Sequence, residues 1–339
     1  MNNERRNVLV SCGGKWAGIV AQLKTAMAAV PALAGGQIYV AAMFPFTPAG
    51  CFADGSVVVP PIAAPEYIDR LLDVCREQRV RVVVPLIDLD VIRLAPHLDV
   101  FAQAGTSVIC PTPALAELGF DKLLFEEFAQ AEGLGYPQTY HQLSELPAEP
   151  FRLFYKGRRG FGSLSVGTCR TTGEAAILWQ EKPDLIFQEF IAAPEFSVDA
   201  YLARDGQCVV CVPRQRDKVI GGEAYQSHTV HNPRVFDTAL HTANALSRRG
   251  LRGPLNIQLF DAEPPVLIEI NTRLGSGSVL SNIASGGRLL ASVLREACGE
   301  TATGDPHDYQ ADVALNRYLG DVFTHGSAPP VIIPPRGPA

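Results

Sequence analysis

Val266-Leu267-Ile268-Glu269-Ile270-Asn271-Thr272-Arg273 runs three apolar residues into an acid, an amide and a guanidinium. The period of two along a strand puts Glu269, Asn271 and Arg273 on one face and Ile268 and Ile270 on the other. Three such polar groups cannot lie against an apolar core unless they are paired. They face a ligand, or the segment is an edge strand with a solvated face; the eight residues alone leave both readings open. A carboxylate and an amide oxygen suit Mg²⁺, which takes hard oxygen ligands, and arginine suits phosphate. Gly253–Phe260 precedes this strand across the turn Asp261-Ala262-Glu263-Pro264-Pro265 and carries Asn256 and Gln258 on one face. The two pair as a hairpin, which brings Gln258 near Glu269 and Asn271.

Working outward toward the N-terminus, Gln207–Pro213 reads as a strand. Arg214-Gln215-Arg216-Asp217-Lys218 follows as a dense charge cluster before Gly221-Gly222, suited to an anionic substrate or phosphate or else a solvated turn. His228 and His231 have H-x-x-H spacing but no helical context, so a surface loop outranks a metal site. Strands at 184–190 and 195–201 are broken by Ala192-Ala193-Pro194, with Glu189 before the break and Glu195 after it. Glu195 could accept from a ribose or pair with a cation. A strand at 151–156 leads into Gly157-Arg158-Arg159-Gly160-Phe161-Gly162-Ser163, and Leu164–Cys169 returns. A glycine-rich loop with Lys156, Arg158 and Arg159 fits phosphate better than it fits a structural hairpin. Residues 114–132 read as one helix containing Asp121-Lys122, stopped by Gly133 and then Pro137.

Residues 7–110 alternate short apolar strands (7–11, 37–42, 56–59, 81–85, 106–110) with helical stretches at 18–29 and 64–78. That pattern predicts an open parallel sheet with helices on both faces. Ser11-Cys12-Gly13-Gly14-Lys15 has neither G-x-G-x-x-G nor a Walker spacing, and a plain tight turn explains it. Asp88 and Asp90 follow a strand, where they could meet a ligand or cap a helix.

The chain has 339 residues, 47% of them hydrophobic, with a formal charge of −6. This predicts a globular protein of two or three domains and argues against nucleic-acid or anionic-membrane partners. No apolar run is long enough for a transmembrane helix. Val8-Leu9-Val10 is too short for a signal sequence. The eight cysteines are scattered, and Cys208-Val209-Val210-Cys211 reads as strand with its thiols on opposite faces, so zinc is not expected. A reduced, cytoplasmic protein fits best.

In order and spacing, Asp121-Lys122, Tyr155-Lys156 with the loop to Ser163, Gln188-Glu189-Phe190-Ile191 with Glu195, Gln258, and Glu269–Arg273 resemble the ATP-grasp superfamily. The nearest resemblance is to the branch of the carbamoyl-phosphate synthetase large subunit and the pyrrolysine-pathway ligase. It implies an α/β (α+β) ATP-grasp fold with a Rossmann-like pre-ATP-grasp domain at 1–113. The ATP-grasp domain would follow at 114–325, with a lid lobe at about 148–190 and a large lobe at about 191–325, and then a mobile tail at 326–339. It also implies roles. Lys122 and Lys156 would hold ATP phosphates under the loop that carries Gly162 and Ser163. Glu189, Phe190 and Ile191 would meet adenine, and Glu195 the ribose. Gln258, Glu269 and Asn271 would form the Mg²⁺ side (Mn²⁺ as a substitute), and Arg273 would sit beside the transferring phosphate. Arg214, Arg216, Ser276 and Gly277 are placed like substrate contacts. Thr272 and Gly157 stand where the family often has proline, and neither change removes a ligand.

The implied chemistry is a carboxylate attacking ATP, an acyl-phosphate, and its capture by an amine to give an amide between small molecules, amino acids or a short peptide. A homodimer is the default assembly. Carbamoyl-phosphate formation would need a second ATP-grasp unit. A non-catalytic ATP sensor would have no need of the full metal side, and a dinucleotide oxidoreductase would need a complete glycine fingerprint.

Overall fold

The computed structural model describes residues 5–149, 151–160, 166–324 and 331–332. The first sheet contains β1 (Asn7–Ser11), β2 (Ile38–Ala42), β3 (Gly55–Val58), β4 (Val80–Pro85) and β5 (Ser107–Val108), all parallel, in the order β3-β2-β1-β4-β5. Helices α1 (Ala17–Ala28), α2 (Tyr67–Glu77), α3 (Asp88–Leu94) and α4 (Leu98–Gln103) connect or flank it. Both faces are buried, so the strands read as nearly continuous Val/Leu/Ile. Val8, Val10, Ile38, Val40, Val82 and Val84 join one core cluster, while Leu9, Ala41 and Val83 join another with α2.

The predicted helix over 114–132 is two: α5 (Pro113–Phe120) and α6 (Lys122–Ala131), broken at Asp121. Asp121 is extended (φ −98°, ψ 114°) and its carboxylate caps α6 by accepting from the Leu123 N–H at 3.0 Å. An aspartate is a stronger cap than helix interior, which is why the chain breaks there.

A four-stranded antiparallel sheet follows, ordered β6-β9-β7-β8: β6 (Thr139–Tyr140), β7 (Leu153–Gly157), β8 (Gly167–Cys169) and β9 (Leu185–Glu189). Helix α7 (Thr172–Glu181) packs on it around a small core of Leu153, Cys169, Ala175, Leu185 and Phe187. Gly162 and Ser163 lie outside the described residues.

The largest sheet is ordered β14-β13-β10-β11-β12-β15. Its strands are β10 (Glu195–Leu202), β11 (Cys208–Ile220), β12 (Glu223–Thr229), β13 (Gly253–Phe260), β14 (Val266–Asn271) and β15 (Ala314–Asn316), with α8 (Pro233–Arg248), α9 (Ser278–Ala284) and α10 (Arg288–Ala297) around it. The Arg214–Lys218 cluster is the second half of β11 and not a turn, because the strand continues through it to pair with β12 before Gly221-Gly222 turns the chain. His228 is in β12, not a loop, with Nδ1 2.8 Å from an Asp217 carboxylate oxygen. Of the tail, Val331–Ile332 forms β17 and pairs with β16 (Val322–Phe323); residues 326–330 and 333–339 lie outside the described set.

Two bulges overturn side-chain placements read from strict alternation. In β14 the register passes from Gln258↔Glu269 to Leu259↔Leu267, so Ile268 is the extra residue. Leu267 and Ile270 enter the core, and Ile268 lines the cleft instead of sharing Ile270's face. In β11 the register passes from Tyr201↔Val210 to Leu202↔Cys208, leaving Val209 extra. Cys208 and Cys211 therefore both join the same core cluster, and their thiols interact.

Candidate functional site

The face of the large sheet that carries the polar residues is ordered by register. Glu195 on β10 lies opposite Arg216 on β11 by the pairing that sets Phe196 against Gln215. Two residues further along β10, a row crosses four strands: Arg214, Ser197, Gln258 and Glu269. The next row carries Asp199, Asn256 and Asn271. The opposite face, with Phe196, Val198, Ile257, Leu259 and Ile270, is sealed in the core shared with α5, α6 and α8.

Between this face and the small sheet lies a cavity of about 830 Å³. Lys122, Lys156, Glu189, Phe190, Ile191, Glu195, Arg216, Gln258 and Glu269 all line it, so seven of the expected nucleotide residues and the central acid converge (Arg216, expected at the substrate, makes the ninth). Lys156 comes from the end of β7 and is 4% exposed. Its Nζ donates to the Ile268 carbonyl at 3.1 Å, the carbonyl of the bulged residue. Burial, together with Lys122's charge, pushes its pKa down to about 8 against the opposing pull of Glu269. Lys122, at the start of α6, donates to the Gly160 carbonyl at 3.2 Å. Glu269 accepts from Gln258 Nε2 at 2.8 Å. Burial alone would raise its pKa, but Lys122, Lys156, Arg216 and Arg273 together hold it below the usual carboxylate value, so it is ionised.

Other expected residues have partners that alternation could not show. The Glu195 carboxylate lies 3.0 Å from Arg216 Nε, an ion pair without hydrogen-bond alignment. Arg216 also reaches Ser197 Oγ and Gln258 Oε1 at 3.3 Å each, and donates to the Gly222 carbonyl at 2.9 Å. Glu189 accepts from the Gln138 backbone N–H at 3.0 Å. Arg273 is gripped by Asp88: Nε donates to one carboxylate oxygen at 2.9 Å and Nη2 to the other, while Nη2 also reaches Asn271 Oδ1 at 3.2 Å. Asp88 therefore neither caps α3 nor stands free, and α3 has no side-chain cap. Asp90 is fully buried, accepting from Tyr67 at 2.7 Å and from Ser11, so it belongs to the interior of the parallel sheet's domain.

The arginines of the glycine-rich loop already have protein partners. Arg158 donates from Nε to both oxygens of Asp121 at 3.0 and 2.9 Å, and Arg159 pairs with Glu117 and Asp121. Both arginines balance the buried Asp121, and Arg159 also lines the cavity. Gly13-Gly14 makes a turn in which Trp16 N–H meets the Gly13 carbonyl at 2.8 Å; the neighbouring Lys15 pairs with Glu223.

Asp199 was missed by the sequence reading. It accepts from Arg214 Nε (2.9 Å), Asn256 (2.7 Å), Ser281 (2.6 Å) and Ser278 (3.2 Å). The signal was present, since Glu195, Ser197 and Asp199 alternate along one strand. Arg317 was also missed and had no sequence signal; it donates to the Ser276 and Ala224 carbonyls at 2.6 and 3.2 Å.

As a Mg²⁺ site, the face offers one carboxylate, Glu269, and the amide oxygens of Gln258 and Asn271. No cluster of three or more His, Cys, Asp or Glu suited to a metal occurs among the described residues. The set fits an ion that keeps waters and takes its remaining ligands from phosphates.

Residues 8–109 match the family described as "PylC-like, N-terminal domain", and residues 181–318 match "ATP-grasp in the biosynthetic pathway with Ter operon". No curated protein sequence matches the chain. Among solved structures, the biotin carboxylase domain of Hydrogenobacter thermophilus 2-oxoglutarate carboxylase is 14% identical, with a TM-score of 0.75 over 97% of this chain and 83% of that one. The L-amino acid ligase of Bacillus licheniformis is 18% identical, with a TM-score of 0.65 over 86% and 75%. N5-carboxyaminoimidazole ribonucleotide synthetase of Thermotoga maritima is 18% identical, with a TM-score of 0.63 over 88% and 77%. At these identities the likeness is one of fold. The shared fold includes the cleft between the two antiparallel sheets. By these matches residues 181–318 carry an ATP-grasp domain and residues 8–109 a PylC-like N-terminal domain.

Proposed function

We propose that this chain is a carboxylate–amine ligase that forms an amide through an acyl-phosphate, releasing ADP and phosphate. The observation that carries the proposal is the convergence of Lys122, Lys156 and an ionised Glu269 on one cavity. Phosphoryl transfer asks for positioning and charge neutralisation more than for a covalent nucleophile. Lys122 and Lys156 would take phosphate oxygens, with Lys156 held in place by the bulge carbonyl of Ile268. Phe190 and Ile191 would receive adenine beside the Glu189 hinge. Glu195 would reach the ribose by leaving Arg216. Glu269, Asn271 and Gln258 would hold Mg²⁺, which supplies charge stabilisation at the transferring phosphate when bound. Arg273, oriented by Asp88 and Asn271, would steady the same phosphate.

The division into 1–113, 114–325 (lid at about 148–190, large lobe at about 191–325) and a tail is part of the proposal; β6 at Thr139–Tyr140 joins the small sheet from outside the lid's bounds. So are cytoplasmic placement and a homodimer; the Hydrogenobacter domain is described as a dimer. No described helix is long and apolar enough to cross a membrane. The test is ADP and phosphate release with ATP, Mg²⁺ and paired carboxylates and amines. A product mass equal to the pair less water supports the ligase. ATP cleavage that needs a carboxylate but never yields an amide sinks it.

A further inference from the structure

One corner of the parallel sheet carries a surface that the nucleotide cleft does not use. β3 is the last strand on its side of that sheet, so its outer backbone edge has no strand partner among the described residues. Its four residues, Gly55–Val58, include neither a charge nor a proline, two of the usual guards of a bare edge. Ala42 pairs with Val58, so the chain leaving β2 as Met43-Phe44-Pro45-Phe46 starts beside the end of β3. Phe44 is 66% exposed and Phe46 70%, and Met43 and Val58 are also exposed. From Gln37 to Pro65 the sequence has one charge, Asp54, and Lys24 pairs with it. Two open phenylalanines on an uncharged corner form a contact surface, unlike the single apolar residues scattered over any surface.

Beside this corner is an open cavity of about 540 Å³. Val58, Val59 and Pro60 form one wall. The other is Glu66, just before α2, with Asp69, Arg70 and Asp73 of α2, spaced to fall on one helical face. Arg70 is turned to Glu77 at 2.9 Å, and Asp73 takes Arg76 at 3.0 Å. Glu66 and Asp69 are exposed and have no cation partner among the described residues. The groove is thus apolar on one wall and acidic on the other. A second copy fits it poorly, because a two-fold contact at this corner would bring the unpaired acids of both copies together. An apolar segment that carries lysine or arginine answers both walls.

We propose that this corner docks an extended segment of a partner protein, apolar with interspersed basic residues, laid along the free edge of β3. In such strand addition the main-chain hydrogen bonds supply affinity and alternate side chains supply specificity. Phe44 and Phe46 would cover the apolar side chains, and Glu66 and Asp69 would meet the basic ones. The proposal stands apart from the ligase reading, because none of these residues lines the nucleotide cavity.

The probes are short fluorescein-labelled peptides titrated by anisotropy into the full chain: alternating Leu-Lys, alternating Leu-Glu, alternating Ser-Lys, and Leu-Lys interrupted by proline. Leu-Lys should bind about tenfold tighter than the other three. Phe44→Ser combined with Phe46→Ser should weaken it by about tenfold, the order of losing aromatic anchors. Glu66→Gln combined with Asp69→Asn should weaken it by about threefold at low salt, an effect that fades as salt rises. Glu263→Gln, exposed in the turn between β13 and β14, should change nothing. All the replaced side chains are exposed, so each variant should keep its fold, checked by circular dichroism. No binding of Leu-Lys, equal binding of Leu-Glu or of the proline-interrupted peptide, or corner variants that bind as the parent does would each overturn the proposal. So would light scattering that shows copies associating, with the association lost in the phenylalanine variant, since the occupant would then be a second copy.

Discussion

Asp199 and Glu269 are acids on the same sheet face, two strands and one register row apart, and they do opposite things. Asp199 is saturated: four side chains donate to its two oxygens, and it is 2% exposed. Glu269 accepts one hydrogen bond, from Gln258, yet four cations surround it. A carboxylate with every lone pair used is part of the frame. One kept ionised by charges at a distance, with oxygens to spare, is ready for a cation. Hydrogen-bond saturation, rather than charge, separates Asp199 from the proposed metal-side Glu269 on this face.

The sharpest break of that comparison is Asp199→Ala. It leaves Arg214 buried without its anion and should destabilise the fold by about 3–5 kcal/mol, read from urea unfolding. A loss below about 1 kcal/mol would make Asp199 no more structural than Glu269. Glu269→Gln should do the reverse: turnover falls by about 10²–10³ for loss of a preorganised charge, while the unfolding midpoint barely moves. Unfolding of that variant, seen by circular dichroism, would mean the acid is a frame residue after all. Asp88→Asn weakens the grip on Arg273 and should cost about 1–3 kcal/mol in kcat, with KM for ATP little changed. A change confined to KM would remove Asp88 from the positioning of Arg273.

The smallest effect is a pH dependence. Lys156 titrates at about 8 in the folded protein, against a usual lysine value of 10.5. Between those values the unfolded chain holds the extra proton, so this residue's contribution makes stability rise with pH across that window. Phosphate favours the charged amine, so ATP affinity should fall across the same window by at most about tenfold per pH unit, or about 1.4 kcal/mol. Lys156→Gln should flatten that profile; an unchanged slope would assign it to another group.

The parallel sheet was legible because its strands are buried on both faces and its apolar runs leave no alternative. The polar row was legible as far as alternation held: Gln258 does meet Glu269. It failed where one residue is inserted. Ile268 and Val209 change the parity of β14 and β11, and no composition rule marks a bulge made of ordinary β-branched residues. Asp121 looked like helix interior because its neighbours are good helix formers, whereas its carboxylate caps the next helix. The grip of Asp88 on Arg273 joins residues 185 positions apart, a separation no local pattern encodes.

One core cluster runs from Val8 and Val84 of the first sheet through α1 and α10 to Tyr201 and Val212 of the largest sheet. The small sheet has its own separate core. The parallel sheet and the largest sheet thus share a keystone, which the small sheet does not. Work done in moving the sheets apart would then fall on the lighter body, and hydrogen exchange should be faster in β7 and β9 than in β10 and β13.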